Sequence, residues 1–558
     1  MNTNSGQGNN GALGSFEEDW NFKKGTLMGG RGTNSRRLLP SGGVGFMDAA
    51  KCWTFVFSLF ALLYAGALSE RASAADRQLS QAEVESWFDS SLVDGLGNPL
   101  RVRPNVQVTE FIDGAETFQA MNRQLKVTGK KSYIYLLNWW IDDSFPLVGV
   151  DPNATLFQRL KDASDSGVQI RGIFWQQVLT PPKKVLADIN SLPYGSAILD
   201  HKTRSFGSHH QKILIIYDGN NDQLVAFCGG IDFNRDRLYP EHVNGSIQKG
   251  SPDHDVHCMF RGPAAWDLLT IFKKRWFDHP SVATLPTSPI NKQGLLGYIL
   301  PRNIESTYNL THKQWAQVGH TYPPPGPPTP TDWYNFAPHG EQTARAIILH
   351  AIAQAKKYIY FEDQYMVSQE ASRALAVALA KNPNLQLIIL IPDWPITDPE
   401  PLLKEHRDQF LAPLKSVAPN RVRVYVLDTP TGEHTYVHSK TWIFDDEFAI
   451  IGSANCNSRS WTYDSEVVAG ICDPGDGVNQ RMPHRLRVRL WSEHLNASPD
   501  TLDDWSAALA LWPSAPPGNH RRRYIDSVGF RVRRPPKLQQ YLDGFWNREV
   551  DPDAGPVP

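Results

Sequence analysis

Residues 438–466 read HSKTWIFDDEFAIIGSANCNSRSWTYDSE, and this stretch decides the fold. The apolar run after His438-Ser439-Lys440 has the length and aromatic, β-branched content of a strand. On a strand, residues i and i+2 share a face, so His438 and Lys440 project together. A second apolar run ends in Gly452-Ser453-Ala454-Asn455-Cys456-Asn457. Small residues there let backbone amides and short polar side chains approach an anion. Glu466 closes the stretch.

The same arrangement occurs earlier in the chain. HHQKILIIYDGNNDQLVAFCGGIDFN (209–234) carries His210-Gln211-Lys212 and then Gly229-Gly230-Ile231-Asp232-Phe233-Asn234. The glycine motif starts nineteen residues after His210 but fourteen after His438. The extra five fall in DGNNDQ (218–223), a polar turn where insertion is cheap. Asp255, in DHDVH (253–257), matches Glu466. Three further blocks pair in the same order: KSYIYLLNWWID (131–142) with KKYIYFEDQYMV (356–367), VQIRGIFWQ (168–176) with LQLIILIPDW (385–394), and DVHCMFRGPAAWDLLTIFKKRW (255–276) with EVVAGICD (466–473) plus RLRVRLWSEHL (485–495). Strands alternating with helices, twice over, predict two pseudo-symmetric α/β/α sandwich halves.

Two histidines, two lysines and two carboxylates are what phosphodiester displacement needs. One imidazole attacks phosphorus; the other protonates the departing alkoxide and then activates water or an alcohol. Lys212 and Lys440, with Asn234, Asn455 and Asn457, are expected to hold the non-bridging oxygens, Ser453 and Gly230 lining the same niche. Asp255 and Glu466 are expected to stand behind the histidines and fix their tautomers. No metal ion or other cofactor enters this scheme. His209, His254, His257 and His434 offer a metal-binding alternative, but His434 and His438 precede a strand, so helical i, i+4 geometry is not expected. Trp139, Trp140 and Trp175 are expected to pack the core or line the cleft. Cys456 reads as a packed side chain, and Glu362 and Gln364 as strand-end residues within reach of the cleft.

At these residues the sequence resembles the phospholipase D superfamily, whose signature is H-x-K-x4-D followed by G-S/G-x-x-N. The second copy matches closely, with four residues between Lys440 and Asp445; in the first, five separate Lys212 from Asp218. The resemblance spans roughly residues 105–500, and the wording SHHQK, GGID and GSANxNxRS looks like the eukaryotic-type branch. It implies a single site at the interface of the halves and a covalent phosphohistidine intermediate; we assign His210 as nucleophile and His438 as acid/base. It also implies strand-end structural roles for Asp218 and Asp445, and a GG-x-D pattern that includes Asp232. The expected activity is hydrolysis of a glycerophospholipid head-group phosphodiester, with transphosphatidylation when an alcohol replaces water. Alternatives are a cardiolipin-synthase-like transferase, a nuclease and an inactive lipid-binding relative.

Composition sets the bounds. The 558 residues carry 56 Lys and Arg against 58 Asp and Glu, a formal charge of −2. Nucleic-acid binding relies on basic excess, so no nucleic-acid partner is expected; the expected partner is a phospholipid surface. Cys52, Cys228, Cys258, Cys456 and Cys472 are too scattered for a disulfide scaffold or a CxxC zinc site. Residues 1–46 read as a disordered extension and 47–74 as a signal peptide or, through 52–68, a membrane anchor, placing the remainder outside the cytosol. The halves are expected at 75–325 and 326–515, divided in the Pro-rich stretch 321–336. A basic tail or edge hairpin is expected over 516–558.

Overall fold

The computed structural model describes residues 77–149, 151–177, 181–203, 207–238, 253–283, 285, 314–325, 334–393, 402–428, 435–513, 521–523, 535–537, 540 and 546. The expectations for 1–46, 47–74 and most of 516–558 lie outside these residues, as does His434.

Eight strands come first: β1 (Val102–Ile112), β2 (Tyr133–Asn138), β3 (Gln169–Trp175), β4 (Gly195–Asp200), β5 (Ile213–Asp218), β6 (Gln223–Gly229), β7 (Asp253–His254) and β8 (Val256–Arg261). Then follow β9 (Gln314–Tyr322), β10 (Glu341–Gln342), β11 (Tyr358–Asp363), β12 (Gln386–Leu390), β13 (Val422–Leu427), β14 (Tyr436–Val437), β15 (Lys440–Phe444), β16 (Phe448–Gly452), β17 (Glu466–Cys472) and β18 (Arg521–Arg523). Sixteen of these form one sheet, and β7 pairs with β14 in a separate small one.

The order of the large sheet explains the repeated blocks. At its centre β1 lies beside β9. Outward from β1 run β8, β6, β5, β2, β3 and β4; outward from β9 run β17, β16, β15, β11, β12 and β13. β2, β3 and β4 are mutually parallel, as are β11, β12 and β13, with β18 antiparallel to β13 at the outer edge; β5 and β15, at the H-x-K motifs, run antiparallel to β2 and β11. By this order β9, which precedes residue 326, takes in the second half the place of β1 in the first. β9 ends at Tyr322, at the start of the Pro-rich stretch, and pairs with both β1 and β17.

Where helices cover both faces of the sheet, its strands are buried along their whole length rather than alternating. All six residues of β2 and all seven of β17 are buried. Tyr133, Tyr135 and Leu137 point into one core with Tyr358 and Tyr360 of the other half, beneath the helices Pro263–Asp278 and Met482–Leu495. Ile134 and Leu136 face a second core under the first half's outer helices, and Ile359 and Phe361 a third under those of the second half. The inner core thus runs without a break through both halves and holds the histidine-bearing strands at a fixed spacing.

The two motif aspartates part company. Asp445 is buried, and its carboxylate accepts hydrogen bonds from the amides of Lys356, Lys357 and Tyr358 at 2.7–2.9 Å. It ties the entry of β11 to the end of β15. In the first half Tyr217, not Asp218, stands opposite Tyr133 in the corresponding register. Its ring stacks on Tyr133 at 5.0 Å, and its hydroxyl donates to Asp222. Asp218 caps the exposed turn instead, accepting from Asn220 and Asn221. The resemblance's position for Asp218 is therefore corrected by one residue. Asp445→Ala should lower stability by about 2–3 kcal/mol, because it removes the acceptor of three amides, that of Tyr358 buried and those of Lys356 and Lys357 partly so. Asp218→Ala should stay within about 1 kcal/mol. Thermal unfolding of the two variants checks the contrast.

Candidate active site

Each H-x-K segment reaches across to the acidic segment of the other half. The His210 amide donates to the Ser465 carbonyl (2.9 Å), the Ser465 amide to that of Ser208 (3.0 Å), and Gln211 Nε2 to that of Glu466 (2.9 Å). In the corresponding place β14 runs parallel to β7, and the His438 amide donates to the His254 carbonyl (2.8 Å). The acids are consequently exchanged. His210 Nδ1 lies 2.9 and 3.0 Å from the Glu466 carboxylate, and His438 Nδ1 lies 2.7 Å from Asp255 Oδ2. Among the described residues Nε2 of each ring has no hydrogen-bond partner, so it is the nitrogen left for a substrate.

Both lysines are buried beside their histidines, as the strand period requires. Lys212 Nζ donates to the His210 carbonyl (2.9 Å), lies 3.1 Å from Asp232 Oδ2 and sits 5.5 Å from the Trp139 ring centre. Lys440 Nζ donates to the His438 carbonyl and to Gln364 Oε1 (3.1 Å). Trp139 and Gln364 follow corresponding strands, β2 and β11. One lysine thus meets an aromatic face and the other a neutral amide. Trp139 also stands edge-on to His210 at 5.9 Å and stacks on Trp175 at 5.8 Å, giving this side of the cleft an apolar wall.

The glycine motifs do something other than expected. The amides of Gly230 and Ser453 are spent on the carbonyls of Val256 and Val467, so neither is free for an anion. Gly230 instead makes room: a Cβ there would collide with Asp255 Oδ1. Ser453 donates its hydroxyl to Glu466 Oε2. Both positions shape a carboxylate rather than the phosphate niche. Asn234 donates to Asp236 and is likewise engaged elsewhere. Asp232 accepts the Trp140 amide while facing Lys212. Asn455 is buried with its Oδ1 unpartnered, and Asn457 uses only its Oδ1, as a cap for Ser460. Their amide groups remain as donors. Cys456 is packed, its own amide bonded to Asp363.

Glu362 does not reach the cleft. It lies fully buried against His254 (3.1 Å) and His494 (3.0 Å). With Asp113 and Glu493, these groups are the described residues close enough together to hold a metal ion. His257 packs under Gly229 and accepts the Ile231 amide. The sequence reading missed Arg237, paired with Asp253 next to the His438 side. The spacing of residues in the chain gives no signal for such a contact.

Burial governs the electrostatics. It raises Asp255 to about 7, against the pull of Lys440 and Arg237, and Glu466 to about 8, against Lys212. It lowers Lys440 to about 7, although Asp255 opposes this. Both imidazoles are pushed well below their usual value: His210 by burial and then Lys212 and Lys440, His438 by burial and then Arg237 and the two lysines. Each lysine therefore acts on both histidines, and the four groups share one electrostatic site.

Residues 348–486 match the family model described as cardiolipin synthase, PLD-like domain. Similar curated proteins include phospholipase D alpha 1 of Cynara cardunculus, 23% identical, the match covering 68% of this chain and 64% of that protein. Phospholipase D alpha 1 of Zea mays is 25% identical, over 57% and 52%. The chain thus spans less than two thirds of the length of these relatives. A solved phosphatidylserine synthase of Haemophilus influenzae Rd KW20 aligns over 79% of this chain and 92% of that one, with a TM-score of 0.47 and 13% identity. These matches support membership of the phospholipase D superfamily.

Sulfate binding should test the charge of the niche. The Lys440 ammonium is present below about pH 7 and lost above it, while Asp255 and Glu466 are neutral below about 7 and 8 and anionic above. Both changes disfavour an anion as pH rises. Sulfate should therefore bind at least about tenfold more tightly at pH 6 than at pH 9. Calorimetric titration at the two values checks this.

Proposed function

We propose that this chain is a phosphodiesterase of the phospholipase D type, acting on the head-group phosphodiester of a glycerophospholipid. The observation that carries the reading is the pair of crossed dyads, His210–Glu466 and His438–Asp255, with a buried lysine beside each. His210 Nε2 attacks phosphorus, and His438, held as the imidazolium once the anionic substrate is bound, gives its Nε2 proton to the departing head-group oxygen as the P–O bond breaks. His438 then takes a proton from water, whose oxygen displaces His210 and releases phosphatidate. Lys212, Lys440, Asn455 and Asn457 stabilise charge on the non-bridging oxygens. Glu466 and Asp255 hold Nδ1 of each ring, so that Nε2 faces phosphorus. Trp139 and Trp175 suit a substrate with an apolar portion, and the names of the plant relatives favour the same substrate class.

The matched family model, with its cardiolipin synthase description, favours a second reading. There a lipid alcohol takes the place of water, and every protein residue keeps its role. Action on nucleic acid is opposed by the net charge of −2. Placement outside the cytosol belongs to the same proposal and rests on residues 47–74. Among the described residues, no helix is long and apolar enough to cross a membrane.

Phosphatidylcholine labelled on the phosphatidyl phosphorus distinguishes the histidines. After quenching in base, the unmodified chain should carry label on a histidine. His210→Ala should abolish both labelling and choline release, a loss of at least about 10³-fold. His438→Ala should lower choline release and slow the clearance of label. Labelling in His210→Ala that disappears in His438→Ala would reverse the two roles.

A further inference from the structure

The two dyads are backed differently. Behind His210–Glu466 stands Arg275, from the last turns of helix Pro263–Asp278. Its guanidinium donates to Gln211 Oε1 (2.6 Å) and Ser465 Oγ (2.8 Å), bracing both sides of that crossing, and pairs with Asp200. The corresponding helix of the other half, Met482–Leu495, brings His494 to the second crossing. His494 Nε2 lies 3.0 Å from Glu362 Oε1, whose other oxygen is 3.1 Å from His254 Nε2. His254 Nδ1 lies 3.0 Å from Asp113 Oδ1. That same oxygen accepts the Asp255 amide (3.0 Å), and the Asp113 amide donates back to the Asp255 carbonyl (2.8 Å). Asp113 adopts a left-handed backbone, φ 60°, to make this clasp.

We propose, resting on the function proposed above, that His254 is a positioning residue for the second dyad. Clamped by Asp113 and Glu362, it holds the 253–255 segment so that the Asp255 carboxylate stays on His438. It fills, with a histidine, the part that Arg275 fills with a guanidinium. Each ring nitrogen of His254 faces a carboxylate, the arrangement of an imidazolium between two anions. Burial opposes the charge, but Glu362 and Asp113 outweigh it and raise the imidazole well above its usual value. In this cluster Glu362 bonds to His254 Nε2 and His494 Nε2, while His254 Nδ1 lies 3.0 Å from Asp113 Oδ1 and 3.5 Å from Glu493 Oε1. A resident metal ion is the competing explanation for the same residues.

The test uses the full chain with His254→Gln, Glu362→Gln and Asp255→Ala, and each of the first two combined with the third. His254→Gln and Glu362→Gln should each lower kcat for choline release from phosphatidylcholine vesicles about tenfold, with KM within about twofold. In the Asp255→Ala background neither should lower kcat further. The far-downfield proton resonance of the His438 Nδ1–H···Asp255 bond, identified by its absence in Asp255→Ala, should move in both single variants. Unchanged kcat, or losses that simply multiply with Asp255→Ala, would overturn the proposal. So would one equivalent of a transition metal in the purified chain that His494→Ala removes. If His254→Gln does not fold, Glu362→Gln alone decides. If the unmodified chain releases no choline, the proposed function fails, and the resonance decides the inference: a signal unmoved in both variants refutes it.

Discussion

The structure depends on the exchange of short backbone segments between its halves. Residues 208–211 bond to 465–466, and 437–438 bond to 254. Each exchange carries one histidine and one acid onto the same spot from opposite directions. Neither half alone holds a complete dyad, because the carboxylate that meets each Nδ1 belongs to the other half. The central β1–β9 pairing and the inner core fix the distance between the two spots, so rigid packing sets the geometry of the cleft.

Low dielectric does the rest. Two lysines, two acids and two imidazoles are removed from water together, and burial pushes Lys440, both acids and both imidazoles toward their neutral forms. A phosphodiester brings the negative charge that the lysines lack. An anionic substrate therefore stabilises the charged form of the site that the empty protein disfavours. The asymmetries sit on top of this plan: Trp139 beside one lysine and Gln364 beside the other, Asp232 opposite Lys212 where Asn455 occupies the matching place, and Arg275 behind one dyad where histidines stand behind the other.

The comparison of motif with geometry is instructive at the glycines. Small residues at 229–230 and 452–453 suggest an anion nest, yet their amides complete the sheet. The missing side chain at 230 matters because of what stands opposite it, the Asp255 carboxylate. Sequence spacing could identify a close approach there but not the approaching group. The same holds for Asp218: counting residues flagged it as displaced, and only strand register identified Tyr217 in its place.

The repeated strand blocks, the pairing of His210 with Lys212 and of His438 with Lys440, and the two candidate acids follow from the sequence itself. They rest on local rules: strand periodicity, the cost of burying polar groups, and recurrence in order. Which acid serves which histidine, where β9 belongs, and the burial of Glu362 beneath the site were decided by the tertiary structure. These are contacts between residues up to 256 positions apart, and no local property of the chain encodes which side of a seam a distant strand will meet.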